Sequence, residues 1–110
     1  MNLSTAPIAV CIYCGSRHGT LPGFTQAARS VGRLIGERRW RPVYGGGNVG
    51  LMGEVAGAAL AAGGEVVGVI TERLLKREVA HLGLTELHVV QTMHERKQQM
   101  AALADAFVAL

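Results

Sequence analysis

Three consecutive glycines, Gly45-Gly46-Gly47, follow an apolar pair, Val43-Tyr44, and lead into Asn48-Val49-Gly50-Leu51-Met52-Gly53. The pattern is that of a strand, a turn of bare backbone and the start of a helix. A helix N-terminus leaves about four backbone N–H groups without intrahelical partners. Those donors, with the positive end of the helix dipole, attract an anion. Glycines remove the side chains that would hold a phosphate off the backbone, and they admit positive φ. The turn is therefore expected to meet a phosphate or a ribose. Gly45, Gly47 and Gly50 also satisfy G-x-G-x-x-G. The dinucleotide form of that pattern follows the first strand of its unit and is answered by an acidic residue at the end of the next. Here it follows the second strand, with Glu72 near the end of the third, so a dinucleotide reading is strained. Close packing of a helix on a sheet is the reading that needs no ligand.

A second set of residues points to the same chemistry. Met93, Arg96, Lys97 and Met100 fall on one helix face by their i, i+3 and i+4 spacing. Thr92-Met93-His94-Glu95 matches the S/T-x-x-E capping box, which starts a helix at Thr92 and gives Glu95 a structural role. Arg96 and Lys97 then lie in the first turns, where positive charge opposes the helix dipole. A cation so sited suggests an anionic partner; the alternative is an exposed basic face.

Other reactive residues carry less. Cys11 and Cys14 form C-x-x-C, but a redox pair belongs at a helix start, and strand residues three apart point to opposite faces. Buried apolar cysteines are expected. His18, His81, His88 and His94 show no metal-ligand spacing, and no metal is expected. Ser16 lacks a local base and G-x-S-x-G is absent, which argues against a serine nucleophile. Glu72 and Glu78 follow the third strand at the ligand end; Glu78 is the better candidate for a pocket carboxylate. Asp105 precedes its strand and lies at the opposite end.

The elements that position these residues alternate. Ile8 to Tyr13 is a continuous apolar run suited to a strand covered on both faces. Phe24, Ala27, Ala28, Val31, Leu34 and Ile35 follow the rhythm of one helix face, in a helix from about Pro22 to Arg39. Pro42 to Tyr44 is a short strand. Leu51, Val55, Ala56, Ala59 and Leu60 mark a second helix, stopped by Gly63-Gly64. Glu65 to Ile70 is a third strand, Thr71 to Ala80 a short helix or ordered loop, and Glu86 to Gln91 a fourth strand. A helix from Thr92 to about Leu103 precedes a fifth strand, Ala106 to Leu110. Such alternation predicts an α/β fold, a Rossmann-like doubly wound parallel sheet with ligands at the carboxyl ends of its strands. Cys14-Gly15-Ser16-Arg17, the Gly45–Gly50 loop and Met93 to Lys97 collect at that rim.

Composition narrows the classes further. At 110 residues one domain is expected, with 49% apolar residues, 15 glycines and few aromatics. No apolar run reaches the ~18 residues of a membrane span, and Met1 to Pro7 lacks the basic-then-apolar layout of a secretory signal. Two cysteines make no disulfide framework. A cytoplasmic protein without membrane partners is expected. The net charge of +3 is concentrated in the first half. The Arg38-Arg39-Trp40-Arg41 cluster resembles a nucleic-acid patch, but it sits at a helix C-terminus, where cations complement the dipole; no nucleic acid partner is expected.

Five stretches together resemble the Lonely Guy family, the cytokinin riboside 5′-monophosphate phosphoribohydrolases, often labelled lysine decarboxylase-like. They are Val10-Cys11-Ile12-Tyr13-Cys14-Gly15-Ser16, Val43 through Gly53, Gly68-Val69-Ile70, Met93-His94-Glu95-Arg96-Lys97 with Met100, and Ala104 through Leu110. The likeness runs from Ile8 onward. It implies hydrolysis of the N-glycosidic bond of a purine riboside 5′-monophosphate, cytokinin-type or AMP, to free base and ribose 5-phosphate, with no cofactor. By the same resemblance Arg96 is the catalytic arginine and Lys97 its neighbour in the pocket. Gly15, Ser16, Gly46, Gly47 and Asn48 would hold the nucleotide, Met93 would pack on the base, and the protein would be a homodimer.

Two departures qualify the likeness. The family commonly has proline after Gly-Val-Ile, where this chain has Thr71, a change expected to affect little beyond the strand exit. The family also continues from the last strand into a P-G-G-x-G-T-x-x-E motif, which carries its main phosphate loop and its catalytic glutamate. The sequence ends at Leu110, before that motif, and leaves its last strand without a covering helix. It is therefore expected to be the N-terminal portion of such an enzyme, with little hydrolase activity alone. A non-catalytic nucleotide-binding module and a dinucleotide-binding fragment are the competing readings.

Overall fold

Apolar runs and helical stretches alternate along the chain, and the computed structural model, which describes residues 8–14, 22–48, 50–77, 80–81 and 83–110, turns that alternation into a parallel sheet. Its elements are β1 (Ala9–Tyr13), α1 (Pro22–Glu37), β2 (Arg41–Tyr44), α2 (Gly50–Ala61), β3 (Val67–Thr71), α3 (Glu72–Arg77), β4 (Glu86–Val90), α4 (Met93–Leu103) and β5 (Ala106–Ala109). The strands lie in the order β4-β3-β2-β1-β5, every pairing parallel. The first four step outward in one direction and β5 returns to the other side of β1, which is the doubly wound arrangement expected from the sequence.

Alternation along the strands sorts the core into two layers. Val10, Ile12 and Tyr44 pack with Ala28 and Ile35 of α1 and Leu51, Met52, Val55, Ala56 and Ala59 of α2. Ala9, Cys11, Val43, Val67 and Val69 face the other way, against Met100 of α4. Helices α1 and α2 approach so closely that a Cβ on Gly32 would sit 2.3 Å from the Val55 carbonyl oxygen. The ends of β5 and β1 are tied at the amino side of the sheet: Ala9 N–H donates to Asp105 Oδ2 (2.9 Å) and Asp105 N–H to the Ala9 carbonyl (2.7 Å). Asp105 thus lies at the opposite end from the carboxyl rim.

Several boundaries differ from expectation, and those of α1 and β3 do so for local reasons. Helix α1 stops at Glu37 rather than Arg39. Arg39 takes φ 59°, Arg39 N–H donates to the Gly36 carbonyl and Trp40 N–H reaches back to that of Ile35, which is a Schellman closure with arginine in the left-handed position. Helix α2 ends the same way with Gly63 at φ 86°. Strand β3 begins at Val67, not Glu65, because Val66 N–H is taken by the Thr85 hydroxyl at 2.9 Å. The strand runs on to Thr71, whose Oγ1 accepts from Leu74 N–H (3.2 Å) at the start of α3. The residue standing in place of proline therefore caps a helix.

The basic cluster is held locally. Arg38 lies 5.2 Å above the Trp40 ring and Arg41 pairs with Glu65 at 2.7 Å. The cysteines point to opposite layers, Cys11 toward α4 and Cys14 toward α1 and α2, and both are free thiols. Burial raises both, that of Cys14 to about 11.

Two measurements check these points. Left-handed backbone costs an L-residue about 1–2 kcal/mol, against about 0.5–1 kcal/mol for the extra entropy of glycine. Arg39→Gly is expected to stabilise the fold by about 0.5–1 kcal/mol, raising Tm by a few degrees, whereas Gly63→Ala lowers it; thermal unfolding followed by circular dichroism reads both. Because burial raises the Cys14 thiol to about 11, alkylation at pH 8 should run about a hundredfold slower than in denaturant, where thiolate forms near its ordinary range. Rapid labelling of the folded chain would contradict that placement.

Candidate functional site

Helices α2, at Gly50, and α4, at Met93, begin at the carboxyl rim of the sheet. Their N-termini give the rim a positive field. Between them lies a cavity of about 310 Å³, lined by Ile12, Tyr13 and Cys14 at the end of β1, Gly45 at the end of β2, Met52 of α2, and Met93, Arg96, Lys97 and Met100 of α4. A larger hollow of about 830 Å³ runs along the outer faces of α1 and α2, where Arg29 pairs with Glu54. It is remote from the strand ends where open α/β sheets bind ligands, so the smaller cavity is the candidate site.

The local structure of α4 explains how its cations reach that cavity. Thr92 caps the helix, its Oγ1 accepting from Glu95 N–H at 3.0 Å. One turn on, Arg96 turns inward and is half-buried. Its Nε–H donates to the Val69 carbonyl at 2.8 Å, its Nη2 to the Gly45 carbonyl at 2.5 Å, and its Nη1 lies 3.8 Å from Met93 Sδ. The guanidinium therefore bridges the end of β2 and the middle of β3. Lys97 beside it is exposed, Met93 is 49% exposed and Met100 is buried.

The glycine turn is braced from three directions. Gly45 offers its carbonyl to Arg96, Gly46 to His81 N–H (3.1 Å), and Gly47 to the Tyr44 hydroxyl (2.8 Å). Gly47 also forms an isolated antiparallel bridge with Ala80. Tyr44 is fully buried, and burial pushes its phenol well above the usual range, so it stays a donor to the turn.

Of the residues singled out from the sequence, the structure brings Met93, Arg96 and Lys97 together around one cavity. It does not bring Gly46, Gly47 or Asn48 there. Gly46 and Gly47 are buried, with Gly46 packed toward Ile70 and Leu87, and Asn48 is exposed. Gly15, Ser16 and Glu78 lie outside the described residues. Cys14 and Gly45, from the stretches expected at the rim, also line it, as do Ile12, Tyr13 and Met52, which were not singled out for the site. Tyr13 stacks on Phe107 of the neighbouring strand, centroids 6.1 Å apart and planes 7° from parallel. The apolar run that ends at Cys14 signalled a strand, and only its termination at the rim makes its last residues part of a cavity.

Chemically, the site joins a guanidinium and an ammonium to a wall of thioether, thiol and aromatic carbon. Such a cavity suits a ligand with an anionic end and a flat or apolar remainder. Among the described lining residues there is no carboxylate. Among the described residues there is also no group of three or more His, Cys, Asp or Glu arranged to hold a metal.

The chain is 52% identical over 105 residues to the cytokinin riboside 5′-monophosphate phosphoribohydrolase of Rhodococcoides fascians, covering 94% of this chain and 53% of that protein. It is 46% identical over 101 residues to the enzyme of the same description, LOG7, of Arabidopsis thaliana, covering 92% of this chain and 46% of that one. The chain thus spans about half the length of the curated relatives it matches. In three dimensions it is similar to the molybdenum cofactor binding protein of Rippkaea orientalis, with TM-score 0.81 and 21% identity over 96% of this chain and 63% of that one. It is likewise similar to the molybdenum cofactor carrier protein of Chlamydomonas reinhardtii, with TM-score 0.80 and 20% identity over 94% and 62%. At such identity the structural likeness speaks for the fold alone. The family described as "Possible lysine decarboxylase" matches residues 52–110, more than half of the sequence. With that match and with relatives sharing about half its residues, the chain belongs to this family, the Lonely Guy family that its glycine turn and Met-His-Glu-Arg-Lys stretch resemble.

Proposed function

We propose that the protein serves hydrolysis of the N-glycosidic bond of a purine riboside 5′-monophosphate, giving the free base and ribose 5-phosphate. The observation that carries the reading is the meeting of Arg96 and Lys97 with the ends of β1 and β2 in one cavity. Phosphate binding there would supply energy remote from the bond that breaks. Met93, with Tyr13 and Met52, forms the wall suited to the base, and thioethers adapt to bases of differing outline. Cytokinin nucleotides and AMP both fit this description of the substrate.

Cleavage through an oxocarbenium-like state needs a carboxylate to stabilise charge and activate water. In the family resemblance that group is the glutamate of the P-G-G-x-G-T-x-x-E motif. Within this chain, Glu78 is the candidate carboxylate. A second reading, a module that binds the nucleotide without cleaving it, is favoured by the lack of a carboxylate among the described lining residues. The family resemblance supports a homodimer. Among the described residues no helix is long and apolar enough to cross a membrane, and the reading is of a cytoplasmic protein.

Three outcomes test the proposal. The purified 110-residue chain is expected to bind AMP by calorimetry and to release no adenine by chromatography; turnover at about 1–10³ s⁻¹ would show that it carries a complete catalytic set. Lys97→Ala should weaken AMP binding about tenfold, the value of one charge-assisted contact. It should also flatten the loss of affinity with added salt. Met93→Ala should weaken AMP but leave ribose 5-phosphate binding unchanged. Equal losses for both ligands would place the base elsewhere.

A further inference from the structure

Gly45 is the first of the three glycines, and its backbone does not need to be glycine. The positive-φ glycines among the described residues are Gly46, Gly50 and Gly63; Gly45 lies outside the left-handed region, in a conformation open to other residues. Space is what excludes a side chain. A Cβ built there would stand 2.3 Å from Arg96 Nη2 and 3.3 Å from its Cζ, with Met52 Sδ at 3.0 Å. Met52 ends in a flexible thioether that can give way. The guanidinium can leave only by breaking its bonds to the Gly45 and Val69 carbonyls. Both are main-chain acceptors whose loss of a charged donor would be felt in full.

We propose that Gly45 is a positioning residue for Arg96: its missing side chain is the slot through which the guanidinium seats on the Gly45 and Val69 carbonyls at the wall of the cavity. The glycine serves the arginine, which in turn serves the anion. The ligand half of this statement rests on the nucleotide reading above; the slot itself does not.

The test uses Gly45→Ala, Arg96→Ala and the double variant, with two readouts. The first is the Arg96 Nε–H resonance in ¹⁵N NMR. It should exchange slowly with solvent in the wild-type protein and lose that protection in Gly45→Ala. The second is AMP affinity. Each single variant should lose about tenfold to a hundredfold, the range for a charge-assisted hydrogen bond. The double variant should be no weaker than Arg96→Ala alone, because both changes remove the same contact. A protected Nε–H in Gly45→Ala, or losses that multiply in the double variant, would overturn the proposal. If wild-type protein fails to bind AMP, the nucleotide reading falls and the Nε–H comparison still decides the slot. Should Gly45→Ala unfold, the double variant decides: recovery of Tm once the guanidinium is removed supports the slot, and none refutes it.

Discussion

A guanidinium seated on two main-chain carbonyls governs the architecture of the rim. Arg96 stands one turn into α4, where the helix dipole disfavours a cation by about 0.3–1 kcal/mol. Its bonds to the Gly45 and Val69 carbonyls, at 2.5 and 2.8 Å, are charge-assisted, a class worth about 1.5–3 kcal/mol each. The carbonyls win. The misplaced charge that suggested an anionic partner from sequence therefore has main-chain partners within the fold. The same seat fixes α4 against the sheet, because one bonded carbonyl follows the end of β2 and the other belongs to the middle of the neighbouring β3.

The glycine turn follows from this arrangement more than it causes it. Its three carbonyls are taken by Arg96, His81 and Tyr44, from three separate parts of the chain. The turn is thus a braced junction, with Gly46 and Gly47 buried, Gly46 against β3 and β4, and only Gly45 of the three lining the cavity. Periodicity alone foretold a strand, a turn and a helix here, because those depend on local pattern. Which glycine would face the ligand depends on the rotation of the turn against β3, and no local pattern encodes that.

Other differences between sequence and structure have the same origin. Strand alternation correctly separated Cys11 from Cys14, since a period of two is enforced by the backbone. Helix α1 was read too long because Arg39 is an ordinary helix former, and only the Schellman closure around it reveals a left-handed residue. Thr71 looked like a neutral replacement for proline; its hydroxyl proves to cap α3. Tyr13, in an apolar run, and Met52, in the glycine-rich stretch, became cavity walls because their elements end or start at the rim. Local rules placed the elements, and long-range packing decided which of their terminal residues met.

The cavity draws its walls from segments far apart in the chain. Gly45 and Arg96 are 51 residues apart, and Val69 and Arg96 are 27 apart. Loops of that size close late in folding, because their entropy must be overcome before the contacts they permit exist. A partly folded chain that holds β1, β2 and α2 but has not docked α4 would have no cavity at all. Any ligand that needs every wall therefore binds the finished native state alone and, by mass action, holds the whole molecule in it.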